Sequence, residues 1–220
     1  MFRYTLIVTD KSFVELRPKP KRNLDQFGVT EETLRNRAGF MAERGFLTNT
    51  KLLFLGDYDL TSLASLPLAK NCEIWVLDVD KEVLEVIEKE SRGAIATVEH
   101  NLLNPLPKRL IKSFDVVFMD PPYTPQGVTL FLSRALEALD KKGVGKILLS
   151  HGSLDPVRVL AVQNKILKHE LLIEEITPKF NMYINAKTVG NESDLYILGT
   201  TEKTKPVIKG VYSGAVYTHQ

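Results

Sequence analysis

Short apolar runs alternate along the chain with segments whose apolar residues recur every three or four positions. Leu52–Leu55, Glu73–Leu77, Ala94–Val98, Phe114–Met119 and Val144–Ser150 read as strands. Between and after them, Leu60–Leu68, Lys81–Ser91, Gly127–Lys141 and Asp155–His169 read as helices. In Lys81–Ser91 the residues Val83, Leu84 and Ile87 form one inward stripe. Leu171–Ile176 and Leu195–Leu198 then close the series as a pair of strands. This alternation predicts an α/β fold, a doubly wound and mostly parallel sheet with an antiparallel C-terminal strand.

Ahead of the first strand, Phe2–Val8 and Phe13–Leu16 flank a polar Thr9–Ser12 segment and predict a hairpin. Arg17–Arg22 is basic and punctuated by proline, which suits a solvated linker better than a polyanion contact. Thr30 caps a helix whose inner face carries Leu34, Ala38 and Met41, with Gly45 as its end. Thr33 stands where a capping-box Glu would be, so the box is imperfect. The expected organisation is a hairpin-and-helix appendage over 1–48 and a catalytic domain over 49–220. The last twenty positions are polar, with Val211, Tyr212, Val216 and Tyr217 available to pack.

Composition narrows the class. At 44% hydrophobic and 25% charged residues, with a net charge of +2, the chain reads as an ordinary globular protein without a strong field for nucleic acid. The single Cys72 excludes a disulfide framework and a cysteine-rich metal site. The sequence has neither a signal-peptide pattern nor a bilayer-length apolar run, so the expected compartment is the cytoplasm.

In a doubly wound sheet, ligands bind beyond the carboxyl ends of the strands, and the informative residues here follow strands. The central strand stops at Asp120-Pro121-Pro122-Tyr123. Neither proline can donate to a ladder, and each drives its predecessor out of helical geometry. A stiff loop therefore holds a carboxylate, the Pro121 carbonyl and the Tyr123 ring together, a set suited to an amine nucleophile. An ordinary proline turn is the alternative. Asp78 ends the second strand, where a carboxylate accepts both ribose hydroxyls. Asp80 suits a helix cap or a further nucleoside contact. Asn101 stays open between an adenine-facing amide and a turn residue, and His151 between a titrating and a structural histidine.

The first-strand loop, Gly56-Asp57-Tyr58-Asp59, keeps one glycine and two acids where a dinucleotide fingerprint needs small residues. Asp57 and Asp59 repel phosphate, which disfavours NAD and ATP. They also disfavour the carboxylate of S-adenosylmethionine and favour its decarboxylated form, which ends in an ammonium. That points to aminopropyl transfer.

Two resemblances bear on this reading. Asp120-Pro121-Pro122-Tyr123 resembles the catalytic motif of S-adenosylmethionine-dependent amino-group methyltransferases. More specifically, Asp25-Gln26, Thr30 with Thr33 and Arg37, Gly56 to Ser62, Asp78-Val79-Asp80, Asp120 to Thr124 and Gly127 to Arg134 appear in the order seen in the branched-chain polyamine synthases of thermophiles. The likeness runs from about Asp25 to the end. It implies a Rossmann-like methyltransferase fold and aminopropyl transfer from decarboxylated S-adenosylmethionine to the secondary amine of spermidine, giving N4-bis(aminopropyl)spermidine and methylthioadenosine. It also implies that Asp59 matches the acid that handles the acceptor amine. It leaves a homodimer open, and implies that a winged-helix-like N-terminal domain of longer members is lacking. Two positions depart from the family pattern: Tyr58 replaces the middle acid of Gly-Asp-Asp-Asp, and Asn101 replaces an acid after the third strand.

The resulting expectation assigns the proton to Asp59, amine alignment to Asp120 and the Pro121 carbonyl, and cation stacking to Tyr123. Polyamine contacts fall to Asp57, Asp59, Asp120 and Tyr123, and nucleoside contacts to Gly56, Asp57, Asp78, Asp80 and Asn101. The sulfonium leaves as a neutral thioether, so the reaction needs no metal. An amino-group methyltransferase and a non-catalytic polyamine or nucleoside binder are the rival readings.

Overall fold

The computed structural model describes residues 12–140, 145–152, 154–186 and 190–218. Its centre is a seven-stranded sheet in the order β3-β2-β1-β4-β5-β7-β6. The strands are β1 (Lys51–Leu55), β2 (Glu73–Asp78), β3 (Ala96–Glu99), β4 (Val116–Met119), β5 (Lys146–His151), β6 (Leu172–Met182) and β7 (Glu192–Gly199). The first five pair in parallel, while β7 runs antiparallel between β5 and the edge strand β6. This is the Rossmann-like arrangement. The β1 and β4 strands are solid apolar runs because both sheet faces are covered.

The helices are α1 (Phe13–Leu16), α2 (Glu31–Glu43), α3 (Thr61–Ser65), α4 (Lys81–Ser91), α5 (Pro125–Ala138) and α6 (Pro156–Lys168). One apolar core, built around Leu53, Val117, Leu130 and Leu149, fills one side of the sheet. A second, built around Phe54, Val76, Val83 and Ile87, fills the other. The α2 helix begins as expected: Thr30 Oγ1 accepts from the Thr33 amide at 3.2 Å. The Thr33 hydroxyl completes the imperfect box by taking the Met182 amide at 3.0 Å, which ties α2 to β6.

The expected N-terminal hairpin is corrected in its second half. Phe13–Leu16 is one turn of helix, because Ser12 Oγ accepts from the Val14 amide at 3.2 Å and caps it. Phe2–Val8 lies outside the described residues. In the tail, Val216 is buried and Tyr212 and Tyr217 pack on the first core, whereas Val211 is 72% exposed. Among the described residues no helix is long and apolar enough to cross a membrane.

Candidate active site

A cavity of about 340 Å³ opens where β1, β2 and β4 end. Gly56, Asp57, Tyr58 and Asp59 line it from the β1 loop, Asp78 and Val79 from the β2 loop, and Asp120 to Tyr123 from the β4 loop. The chain turns out of β1 at Gly56, whose φ of +73° suits glycine and strains other residues. The Asp57 carboxylate then folds back on its own helix, accepting from the Thr61 and Ser62 amides at 2.8 and 3.1 Å. It thereby takes the backbone donors that an anionic ligand would use. Burial pushes the Asp57 carboxyl up to about 8, against the pull of the Ser62 donors.

Asp78 stands at the end of β2 and accepts the Asp57 amide at 2.9 Å and the Asp80 amide at 2.8 Å. Burial raises its pKa and these amides oppose the rise. The carboxylate is thus fixed in the cavity wall with lone pairs to spare.

Asp59 and Asp120 converge on one guanidinium. Arg37, fully buried on α2, donates from Nη1 to Asp59 Oδ2 at 2.9 Å and from Nη2 to Asp120 Oδ2 at 2.6 Å. Its Nε donates to Asn181 Oδ1 at 2.7 Å, and its Cζ lies 5.1 Å from the Phe118 ring centroid. Burial disfavours the cation, but Asp120, Tyr183 and Asp59 more than offset this and hold Arg37 charged. Asp59 also receives the Val29 amide at 2.7 Å and lies 3.6 Å from Arg17. Asp120 accepts from the Tyr183 hydroxyl at 2.8 Å and the Tyr123 hydroxyl at 3.2 Å. Burial raises the Asp120 carboxyl and Arg37 counters it. Pro121 is buried in the cavity wall, and its carbonyl takes no hydrogen bond from a described residue.

Two expected nucleoside contacts are placed elsewhere. Asp80 is buried behind the wall, where it caps α4 through the Glu82 amide and binds Lys21 Nζ at 2.6 Å and Gln26 Nε2 at 2.9 Å. Burial works against its charge, but these partners hold its pKa low. Asn101 is exposed and does not line the cavity; its Oδ1 accepts the Leu103 amide at 2.9 Å, closing its own turn. His151 lies under Tyr123, with ring centroids 4.9 Å apart, and burial lowers its pKa to about 4, so it stays neutral near pH 7. Among the described residues no group of three His, Cys, Asp or Glu is placed to hold a metal ion.

The Arg17–Arg22 run is a solvated linker only in part: Lys19, Pro20 and Arg22 are exposed, but its other cations are held. The Arg17 side chain is buried and donates to the Val29 and Asp59 carbonyls at 2.6 and 3.0 Å, while Lys21 is held by Asp80. Tyr58 adds to this anchoring by donating to the Pro18 carbonyl at 3.1 Å. The segment becomes a strap over the cavity, whose Leu24 to Phe27 line it. Arg17, Tyr183 and the strap escape a reading by strand ends. Arg37 carries a signal: it shares the apolar stripe of Leu34, Ala38 and Met41, where a charge needs a partner.

Strand ends that place acidic loops around one cavity in this sheet order define a Rossmann-like methyltransferase fold. The chain belongs to the branched-chain polyamine synthase family: the model of the branched-chain polyamine synthase A C-terminal domain matches residues 6–210. It is 40% identical to an uncharacterised protein of Methanocaldococcus jannaschii over 88% of this chain and 53% of that one. It is 34% identical to the N4-bis(aminopropyl)spermidine synthase of the same organism, over 80% of this chain and 52% of that one. The chain thus spans about half the length of these relatives. Among solved structures, the Thermus thermophilus branched-chain polyamine synthase in complex with N4-aminopropylspermidine and 5'-methylthioadenosine matches with a TM-score of 0.81 at 23% identity, over 92% of this chain and 65% of that one. A putative RNA methyltransferase of Pyrococcus horikoshii matches with a TM-score of 0.67 at 18% identity, over 86% of this chain and 96% of that one, which supports the fold.

Proposed function

We propose that this chain carries the transfer centre of an aminopropyltransferase. It moves aminopropyl groups from decarboxylated S-adenosylmethionine to an internal amine of spermidine or a related polyamine and releases methylthioadenosine. The observation that carries the reading is the convergence of Asp59 and Asp120 on Arg37 beside the Pro121 carbonyl, which takes no hydrogen bond from a described residue. In this reading Asp78 takes the ribose hydroxyls, and Asp120 with the Pro121 carbonyl aims the amine. The nitrogen lone pair attacks the carbon next to sulfur, a C–N bond forms, and the C–S pair leaves on sulfur as a neutral thioether. Asp59, through a lone pair not used by Val29 or Arg37, takes the amine proton.

The arginines refine the energetics. An alkyl ammonium has a pKa of about 10.4, so deprotonating it at pH 7 costs roughly 4–5 kcal/mol. Bare carboxylates would add to that cost by favouring the cation. Arg37 and Arg17 offset the charges of Asp59 and Asp120, so the amine meets oriented acceptors without a strong excess of negative charge. Donor choice rests on Asp57, which occupies the Thr61 and Ser62 amides and leaves a donor carboxylate nothing to bind there.

The test incubates the protein with spermidine and either sulfonium donor, and identifies products by mass. One or two added aminopropyl groups with the decarboxylated donor are expected. A methylated product from S-adenosylmethionine would replace this reading with an amino-group methyltransferase.

A further inference from the structure

The strap crosses the cavity between two anchors. At one end Gln26 Nε2 donates to Asp80 Oδ2 at 2.9 Å, and the Asp80 amide donates to Asp78 Oδ1 at 2.8 Å. At the other end the Val29 amide donates to Asp59 Oδ1 at 2.7 Å. Between them the Gly28 carbonyl accepts the Ile184 amide at 2.7 Å, which ties the strap to the chain that follows β6. A Cβ on Gly28 would stand 2.5 Å from Arg17 Nη1, so the missing side chain lets the strap close against Arg17.

Phe27 lies within this tied span and lines the cavity. It is 39% exposed and lies outside the apolar cores. No other ring and no cation among the described residues stacks on it. Tyr123, by contrast, already meets His151 and Tyr183, with ring centroids 4.9 and 6.1 Å away. A large ring on a fixed backbone, spent on no core and facing a cavity, is surface kept for a ligand.

The two anchors say what that ligand surface meets. In the reading given above, Asp78 takes the ribose hydroxyls and Asp59 takes the proton of the attacking amine. The donor's sulfur lies between these ends, because it joins the nucleoside to the carbon under attack. The strap is tied to the same two ends, so a ring in mid-span lies over the sulfur. We propose that Phe27 is a donor-specificity residue, whose ring receives the sulfonium cation by cation–π attraction. This rests on the nucleoside and amine ends assigned above. The attraction is to charge, and it fades as the C–S pair leaves on sulfur. It therefore does not speed the bond-breaking step. It sorts the charged donor from the neutral methylthioadenosine, so that fresh donor displaces spent product between transfers.

The test titrates the whole chain with decarboxylated S-adenosylmethionine and with the same molecule lacking the sulfur methyl, a neutral thioether. Phe27→Leu keeps an apolar side chain outside the cores but loses the π face, and Phe27→Tyr keeps the ring. The leucine variant should bind the sulfonium roughly three- to thirtyfold more weakly, the scale of a cation–π contact. Its affinity for the thioether should stay near that of the parent, and the tyrosine variant should keep both affinities. Unchanged sulfonium affinity in Phe27→Leu would overturn the assignment. So would an equal loss for both ligands, which would make Phe27 an apolar cover of the nucleoside. S-adenosylmethionine and S-adenosylhomocysteine differ by the same methyl and charge, so this second pair reads the ring independently of the donor choice. A loss confined to the sulfonium of that pair alone would sink the decarboxylated donor and leave Phe27 in its role. A parent chain that bound neither pair would bring down the nucleoside reading and this one with it.

Discussion

Arg37 Nη2 donates to Asp120 Oδ2 at 2.6 Å although 83 positions separate the two residues. The bond joins a helix outside the alternating strand–helix series to the loop that ends the central strand. Removing the guanidinium leaves the largely buried Asp120 carboxylate with two tyrosine hydroxyls but no cation. Arg37→Met should therefore lower stability by about 3 kcal/mol or more. Arg37→Lys keeps a charge but lacks the fork that reaches both carboxylates. It should melt closer to the parent and still lose at least about 100-fold in aminopropyl transfer, since the two acceptors are no longer held in one geometry. Melting curves beside single-turnover rates separate the two effects.

Asp59→Asn should abolish transfer while methylthioadenosine still binds, because the proposed mechanism gives Asp59 the amine proton and not the nucleoside. Asp78→Ala should do the opposite first, and weaken the nucleoside. It also strips the Asp57 and Asp80 amides of their acceptor, so Asp78→Asn is the gentler companion variant. Near-full turnover by Asp59→Asn would remove it as the proton acceptor.

Calorimetry should rank decarboxylated S-adenosylmethionine and methylthioadenosine above S-adenosylmethionine. The extra carboxylate of the last meets Asp57 where free amides would otherwise lie. The reverse ranking would show that Arg17 or Arg37 reaches that carboxylate, and would move the donor assignment to the methyl donor.

Spermidine should raise the melting temperature of the nucleoside-bound protein by binding linkage. DNA or RNA should produce little binding at physiological salt, since net charge is +2 and the cationic strap is partly spent on Asp59 and Asp80. No shift with any polyamine, together with salt-sensitive nucleic-acid binding, would favour the base methyltransferase.

His151 sets a pH signature. Its pKa is about 4 in the fold, against an ordinary 6.5. Between these values the unfolded chain binds the extra proton, so stability rises with pH across this window and falls on acidification. The contribution is about 3 kcal/mol when fully expressed. Its Nε2 has no hydrogen-bond partner among the described residues, so His151→Phe removes the titration without breaking a bond at that atom. Denaturant titrations at pH 7 and pH 4.5 should show a smaller difference in the variant than in the parent. Burial also lowers the pKa of His169, so the comparison between variant and parent isolates the His151 share.

Much of this architecture is legible in the chain itself. Lys81–Ser91 is read to the residue because Asp80 caps it and its stripe is clean. The acids Asp57, Asp59, Asp78 and Asp120 are legible because each follows a strand, and parallel topology brings those ends together. Phe13–Leu16 misleads because four apolar-rich residues fit strand and helix alike, and a cap on Ser12 decides between them. The strand β6 extends six residues beyond Ile176, through a polar, half-exposed stretch with irregular pairing that no period reveals. Asn101 closes its own turn, a local bond that competes with any ligand role. Arg17 has no local signature at all, since its meaning depends on a partner 42 positions away.

The place of β7 bears on when the site comes into being during synthesis. Arg37 takes its Asn181 acceptor from 144 positions downstream, and Ser193 of β7 in turn braces Asn181 and Tyr183 at 2.9 and 3.0 Å. Since β7 inserts between β5 and β6, these acceptors are fixed only when the final hairpin closes. A nascent chain emerging from the ribosome thus carries Arg37 and its two acidic partners long before the Asn181 acceptor and its Ser193 brace are made. The last support of the guanidinium arrives in one late step, and a translation product cut short before β7 lacks the Ser193 brace.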